Sequence, residues 1–216
     1  MFFNLFNNNI KITYGITVCN EATELDLLLT TLIPLLDKND ELIILQDVTS
    51  KDIAVNAVIE KYKDRVILVE TKLNGDFATF KNTLITKASG DYLFQIDADE
   101  VPQQSLIKKL KKQLRKNKKY DCFFVPRINI VNGYTDAHIN KWHWNIDEKN
   151  YINFPDYQPR LIKLNGAIKW KNKVHEVLTG YKRSFNLPVE TDDYCLIHIK
   201  DIKRQEKQND FYDTLS

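Results

Sequence analysis

Glycine is scarce in this chain of 216 residues, which contains only six glycines, all isolated from one another. The two common phosphate-binding loops, GxGxxG and GxxxxGK, need closely spaced glycines so that the backbone can approach a phosphate group. Neither pattern occurs in the sequence. A dinucleotide-dependent oxidoreductase and a P-loop kinase are therefore not expected.

Cysteine is also rare, and Cys19, Cys122 and Cys195 lie far apart without a CxxC pair. Neither a zinc knuckle nor a disulfide framework is predicted, which fits a reducing compartment. No apolar run reaches the length of a membrane span, and the first residues do not have the pattern of a signal peptide. We therefore expect a cytoplasmic protein.

The formal net charge is only +2, which predicts no general affinity for nucleic acid. The run from Lys108 to Lys119 is the basic exception, and it follows a helical pattern with leucines on the opposite face. Such lysines usually form a solvated helix face. The alternative is peripheral contact with an anionic surface, such as the inner face of a membrane.

Four β-rich runs alternate with helical patterns in the first hundred residues. The predicted strands span residues 11–18, 41–46, 65–70 and 91–96, and predicted helices lie around residues 25–36, 53–62 and 77–88. From residue 121, strand-like runs are joined by irregular segments, and residues 138–156 are predicted to form a long loop. The pattern predicts an α/β fold with a mostly parallel, Rossmann-like central sheet, helices on both faces and a β-rich C-terminal portion.

Polar side chains follow each of the four predicted strands. Parallel strands joined by right-handed crossovers end at one edge of the sheet, which is where such sheets bind ligands. The residues expected at this edge are Asn20, Glu21, Asp47, Asn74, Asp76, Asp97, Asp99 and Glu100.

Asp97 and Asp99 form a DxD triplet at the tip of an apolar strand. Carboxylates crowded at a strand end repel each other, so a positive partner is expected. Mn²⁺ or Mg²⁺ fits that role, because hard cations take carboxylate oxygens and bridge to phosphates. A solvated turn with helix-capping aspartates is the plainer alternative.

Several segments carry a family resemblance: "ITVCNEATEL", "GDFATFKNTLITKASGDYLFQIDADEVP", "FPDYQPRLIKL" and "KVHEVL". Over about residues 10–200 the chain resembles family 2 glycosyltransferases of the GT-A fold, in particular the bacterial and phage branch that decorates lipopolysaccharide or other glycans. The resemblance implies one domain over residues 1–216. It has a nucleotide-sugar-binding half (10–100), an acceptor-side half (101–200) and a C-terminal tail (201–216).

The family resemblance implies metal-dependent, inverting transfer of a sugar from a nucleotide diphosphate sugar, such as a UDP- or GDP-sugar, to a hydroxyl of a glycan or lipid-linked acceptor. Asn20, Glu21 and Asp47 would surround the nucleoside. Asp76 would border the diphosphate or sugar, and Asp97 and Asp99 would hold the metal and the sugar–phosphate end. Lys81 replaces the arginine that the family has in the third helix, so a bidentate phosphate contact becomes a point charge.

Inverting transfer needs a carboxylate that takes the acceptor proton, and Glu176 is the first candidate and Asp156 the second. Arg160 is expected to pair with the diphosphate or with Asp156. His198 is a candidate third metal ligand or phosphate contact, although a core histidine is the more common outcome. The tryptophans stack on a sugar face or pack in the core: Trp142, Trp144 and Trp170.

Two other functions fit part of the pattern. A sugar-nucleotide pyrophosphorylase also combines an α/β sheet with Mg²⁺, but it should show a glycine-rich N-terminal loop. A non-catalytic carbohydrate-binding relative would not need the DxD pair together with a base.

Overall fold

The computed structural model describes residues 10–213, with side chains up to residue 210. The strands are β1 (Ile12–Val18), β2 (Glu41–Asp47), β3 (Ile67–Thr71), β4 (Tyr92–Asp97), β5 (Glu100–Pro102), β6 (Cys122–Asn132), β7 (Ile152–Lys163), β8 (Lys169–Lys171), β9 (Val177–Thr179), β10 (Ser184–Asn186) and β11 (Leu196–Asp201). The α-helices are α1 (Ala22–Leu32), α2 (Ile53–Lys61), α3 (Phe77–Lys87), α4 (Gln104–Lys116), α5 (Asp136–Trp142) and α6 (Ile202–Asp213).

The large sheet has the strand order β3-β2-β1-β4-β7-β6-β11-β5, with β10 paired to β6. Strands β1 to β4 are mutually parallel, as the alternation of strands and helices predicted. Their carboxyl ends therefore share one edge of the sheet.

The β-rich portion continues this sheet. Strand β7 is antiparallel to both β4 and β6, so β6 runs in the same direction as β4. Strand β11 is parallel to β6, and its carboxyl end consequently reaches the edge where β1, β2 and β4 end. Strands of both predicted halves thus belong to one sheet, while the division of roles between residues 10–100 and 101–200 stays a prediction.

Helices cover both faces of the sheet because the buried residues of its strands alternate between two cores. Tyr14, Ile16 and Ile44 pack with α1, α2 and α4. Ile43 and Leu45 pack with α3 and with the small β8–β9 sheet. The mixed α/β fold with a mostly parallel central sheet is confirmed.

One local prediction was wrong. Residues 138–156 are not one long loop, because α5 and the start of β7 lie within them. Helix α5 begins with a capping box in which His138 takes the place of the usual Glu or Gln. Within residues 201–216, the predicted C-terminal tail, Ile202–Asp213 form α6.

Helix α4 carries the lysine-rich run from Lys108 to Lys119. Its leucines pack into the core. Lys109 pairs with Asp193 at 2.5 Å, and Lys111 pairs with Asp40 at 2.7 Å, so part of the run is neutralised within the protein. In the part of the chain that the structure describes, no helix is both long and apolar enough to cross a membrane.

Candidate active site

Asp97 ends β4 at the acidic edge of the sheet and is held by two partners. The Thr17 hydroxyl donates to Oδ1 at 2.7 Å, and Arg160 Nη2 donates to Oδ2 at 2.5 Å. Burial alone would raise the pKa of Asp97, but the charges of Arg160 and Lys81 outweigh it and hold the pKa well below its usual range. Asp97 is therefore a permanent carboxylate.

Glu100 was placed at the acidic edge by the sequence but received no role in the predicted site. Its side chain is fully buried and accepts from Arg160 Nη2 at 2.6 Å and from Arg127 Nη1 at 2.9 Å. Two arginines from β6 and β7 thus balance the carboxylates at the tip of β4. A metal ion is not needed to offset the repulsion between Asp97 and Glu100.

Asp99 lies apart from these arginine pairs and faces His198. Its Oδ2 is 3.2 Å from His198 Nε2. His198 Nδ1 is 2.9 Å from Asn129 Oδ1, and Asn129 Nδ2 donates to Asp156 Oδ2 at 2.9 Å. Because Asn129 turns its amide nitrogen to Asp156, its oxygen accepts from His198 Nδ1, and His198 Nε2 faces Asp99.

The Asp99–His198 pair fits a divalent cation. An imidazole nitrogen and a carboxylate oxygen that face each other are ligand types that can hold a cation together, and a hydrogen bond to Nδ1 is how proteins orient a metal-binding histidine. Neighbouring ligands of an octahedral ion at about 2.1 Å lie about 3.0 Å apart, close to the observed separation.

The predicted three-ligand set of Asp97, Asp99 and His198 is not assembled. Across residues 10–210, no group of three His, Cys, Asp or Glu side chains is arranged to hold a metal ion. Asp97 is engaged by Arg160 instead. Two protein ligands are nevertheless enough for Mg²⁺-like ions, which usually complete their shell with waters and substrate phosphates.

A smaller cavity of about 180 Å³ lies beside the ends of β1 and β2. Glu21 and Asp47 line it together with Asp97 and Asp99. Asn20 is exposed and does not line it, although its backbone N–H donates to Glu21 Oε2.

The smaller cavity is strongly acidic around Cys19. Burial, followed by the charges of Asp47 and Glu21, raises the pKa of the Cys19 thiol to about 11. Asp47 Oδ1 also accepts from the backbone N–H groups of Thr49 and Leu73, at 2.9 and 3.0 Å. Buried carboxylates in such a place can accept hydrogen bonds from ribose hydroxyls or a base N–H.

A larger cavity of about 500 Å³ adjoins the smaller one. Lys81, Asp97, Asp99 and Glu176 line both cavities, so they mark the junction between the two. Asp76 lines neither; its side chain caps α3 by accepting from the N–H of Thr79 at 2.9 Å.

Glu176 lies in the loop between β8 and β9. The preceding residue, His175, has a φ of 52°, so the segment is not a regular strand and does not impose alternation on the two side chains. Glu176 Oε1 accepts from Lys81 Nζ at 2.5 Å. Lys81 Nζ also lies 5.0 Å from the centre of the Trp170 ring, which is buried in the core.

Asp156 lines only the larger cavity and is saturated with donors. Its Oδ2 accepts from Arg127 and Asn129, and its Oδ1 accepts from Gln158 at 2.6 Å. Burial would raise the pKa of Asp156, but Arg127 and these hydrogen bonds hold it below its usual value. A carboxylate in this setting is a weak base with little room for a new proton.

Helix α6 closes one side of the junction. Arg204 Nη2 lies 3.3 Å from Glu21 Oε1 and 3.4 Å from Asp99 Oδ2, and Nη1 contacts Glu24. Trp144 lines the far end of the larger cavity, where its ring is 4.9 Å from that of Trp142. Arg204 was not predicted from the sequence as a site residue. A usable signal was its position shortly after a strand that contains the candidate ligand His198 and ends at the acidic edge of the sheet.

The protein combines a Rossmann-like parallel sheet that has an acidic edge with a β-rich portion that completes a second cavity. This combination defines the GT-A fold class. The family model described as "Glycosyl transferase family 2" matches residues 13–203. The chain therefore belongs to glycosyltransferase family 2, which confirms the family that the sequence segments resemble.

Known proteins agree with this assignment. The chain is 29% identical over 189 residues to the SPbeta prophage-derived glycosyltransferase SunS of Bacillus subtilis strain 168, covering 85% of this chain and 39% of SunS. Glycosyltransferase SunS of Bacillus phage SPbeta matches equally. The chain thus spans about two fifths of the length of these curated relatives.

Among solved structures, TarS of S. aureus in complex with UDP-GlcNAc superposes with a TM-score of 0.61 at 13% identity, covering 88% of this chain and 59% of that one. A second TarS structure gives a TM-score of 0.60. At this identity the likeness shows the shared fold.

Proposed function

We propose that this chain transfers a sugar from a UDP- or GDP-sugar to a hydroxyl of a glycan or lipid-linked acceptor, with inversion at the anomeric carbon and with Mn²⁺ or Mg²⁺. One observation carries the proposal: Glu176, Asp97 and Asp99 lie where the two cavities meet. A donor in one cavity and an acceptor in the other would react at that junction, beside the carboxylate of Glu176, which Lys81 holds at 2.5 Å.

The smaller cavity suits the nucleoside, with Glu21 and Asp47 as hydrogen-bond acceptors. The diphosphate would lie by Asp99 and His198, which would hold the cation. When bound, the cation neutralises the charge that develops on the departing diphosphate.

Glu176 is the proposed base. It lies at the junction of the two cavities, where its carboxylate would take the acceptor proton in a single-step inversion. Lys81 holds one of its oxygens and orients it. Arg160 has its guanidinium turned to Asp97 and Glu100, so its role is to hold Asp97 toward the donor rather than to pair with Asp156.

Release of UDP or GDP tests the function directly. The protein should release nucleoside diphosphate from a matching nucleotide sugar in the presence of Mn²⁺ and not in the presence of a chelator. A pyrophosphorylase would instead make pyrophosphate from a nucleoside triphosphate and a sugar 1-phosphate. A carbohydrate-binding relative would bind sugars without any release. Analysis of the product anomer by NMR decides between inversion and retention.

Asp99→Asn is expected to weaken binding of Mn²⁺ at least about 100-fold. Mutation of a residue that only hydrogen-bonds to a metal ligand already lowers metal affinity about 10- to 100-fold, and Asp99 would be a ligand itself. Binding of Mn²⁺ is measured by electron paramagnetic resonance without nucleotide. The matched control is Asp26→Asn on the exposed face of α1, where Asp26 pairs only with Lys61 and Tyr62. Unchanged Mn²⁺ affinity in Asp99→Asn would show that the cation does not bind at Asp99.

Asp47→Asn is expected to weaken binding of the nucleoside alone as much as binding of its diphosphate, about 10-fold or more for one charged hydrogen bond. The asparagine oxygen can still accept from Thr49 and Leu73, so the loop should keep its shape. Titration calorimetry with uridine, guanosine and their diphosphates measures the effect. A variant that binds like the unaltered protein would place the nucleoside elsewhere.

Membrane contact through the run from Lys108 to Lys119 stays a prediction. The exposed cations of this run are Lys108, Lys112, Arg115 and Lys116 in α4 and Lys118 and Lys119 just after it.

A further inference from the structure

Lys200 is a buried cation in the wall of the larger cavity. It lies in β11, and only 8% of its surface is exposed. Its side chain lines the cavity together with the glutamines of α6. Sequence reasoning gave this residue no role.

Among residues 10–210, the hydrogen-bond partner of the Lys200 ammonium is neutral. Its Nζ donates to Gln208 Oε1 at 2.5 Å. No carboxylate among residues 10–210 lies within 4.0 Å of it. Asp99 and Asp97 attract it from beyond that distance, whereas Arg127 and Arg204 repel it.

The other cations around the junction all have carboxylate partners. Lys81 pairs with Glu176, and Arg127 pairs with Glu100 and Asp156. The remaining two are also paired: Arg160 and Arg204. Lys200 differs from every one of them, although it is among the most buried.

A buried ammonium without a counter-ion is unfavourable, since burial removes its hydration and nothing replaces the lost charge interaction. Lys200 has three N–H donors, of which Gln208 takes one. Two donors therefore remain for a ligand, and an anion is the kind of ligand that would offset the charge.

The position of Lys200 indicates which anion. Residues two apart in a strand share a face, so Lys200 is the next side chain after His198 on the cavity face of β11, about 6.6–6.8 Å further along the strand. Both are buried, while Ile199 between them is exposed. Because β11 runs parallel to β6, Lys200 lies toward the sheet edge where Asp97 and Asp99 are located.

We propose that Lys200 binds a phosphoryl oxygen of the nucleoside diphosphate, with Gln208 of α6 holding its ammonium in place. This inference rests on the proposed function, because it assigns a further donor-binding residue to the same site. The charge of Lys200 then assists departure of the diphosphate. It also gives α6 a part in donor binding.

Lys200→Met tests the inference, because methionine keeps most of the volume and removes the charge. In titration calorimetry with Mn²⁺, UDP or GDP should bind about 10- to 100-fold more weakly to this variant, the range for a lost charge-assisted hydrogen bond. Uridine or guanosine should bind as before. Lys163→Met is the matched control, since Lys163 is exposed and lies opposite Tyr92 at the far end of β4.

A second measurement separates binding from packing. Without ligand, Lys200→Met should unfold at the same temperature as the unaltered protein or higher, because an uncompensated buried charge has been removed. Equal affinity for the diphosphate would overturn the inference. A lower melting temperature together with weaker nucleoside binding would also overturn it, since Lys200 would then be structural. If the unaltered protein binds neither UDP nor GDP, the proposed function fails instead.

Discussion

Replacing Glu176 by glutamine is expected to lower turnover by a factor of about 10²–10⁴ while the dissociation constant of the donor stays nearly unchanged. Glutamine keeps the shape of the side chain and can still accept from Lys81 through its amide oxygen. It cannot take the acceptor proton. Single-turnover kinetics measure the chemical step, and titration calorimetry measures donor binding.

Asp156→Asn is the matched control for Glu176→Gln. Asp156 already accepts from Arg127, Asn129 and Gln158, so its loss should act through the orientation of His198 and not through proton transfer. A large loss of turnover in Asp156→Asn with none in Glu176→Gln would make Asp156 the base. If neither variant slows transfer, both carboxylates are excluded from that role.

Arg160→Met is expected to lower the free energy of unfolding by about 3–5 kcal/mol, the usual cost of removing one partner of a buried ion pair. Arg160 is 4% exposed, and its Nη2 donates to both Asp97 and Glu100. Without it, Glu100 keeps only Arg127 as a charged partner, and Asp97 keeps Lys81 at longer range. Urea denaturation at neutral pH measures the change.

Arg183→Met provides the reference for Arg160→Met, because Arg183 is exposed and its loss should change stability by no more than about 0.5 kcal/mol. Adding Glu100→Gln to Arg160→Met should recover part of the lost free energy of unfolding. The second substitution removes one of the two carboxylates that lost Arg160 as a partner. A loss below about 1 kcal/mol in the single variant would show that water or rearrangement replaces the guanidinium.

The acidic edge of the sheet could be predicted because its causes are local. Each strand is a short apolar run, and polar residues such as Asp47 and Asp97 lie at or directly after the strand ends. Crossover connections between parallel strands are nearly always right-handed, so these ends lie at one edge of the sheet. No knowledge of distant pairing was needed to bring these residues together.

The partners of the acidic residues could not be predicted in the same way. Arg127 and Arg160 lie 27 and 60 residues after Glu100. They reach it only because β7 inserts between β4 and β6 in antiparallel register. Nothing local in "VPRINI" specifies that register, although a charged residue inside an apolar strand was a visible sign of a buried partner.

Lys200 was within reach of sequence reasoning. In "LIHIKD" the residues alternate between two faces, so a histidine singled out as a ligand implies that the lysine two positions later faces the same way. Helix α5 was less accessible, because a capping box closed by His138 departs from the usual residue pattern.

The continuous sheet also determines how the protein can move. The backbone ladders β1–β4, β4–β7 and β7–β6 join strands from residues 10–100 to strands from residues 101–200 without an intervening linker. Closure of two rigid lobes about a hinge, as in many ligand-enclosing proteins, would break these ladders. Any opening or closing of the cavities would therefore involve segments outside the sheet: residues 172–176, which carry Glu176, and α6, which carries Arg204 and Gln208. Under the proposed function, the donor would enter by movement of these short segments while the sheet keeps its shape.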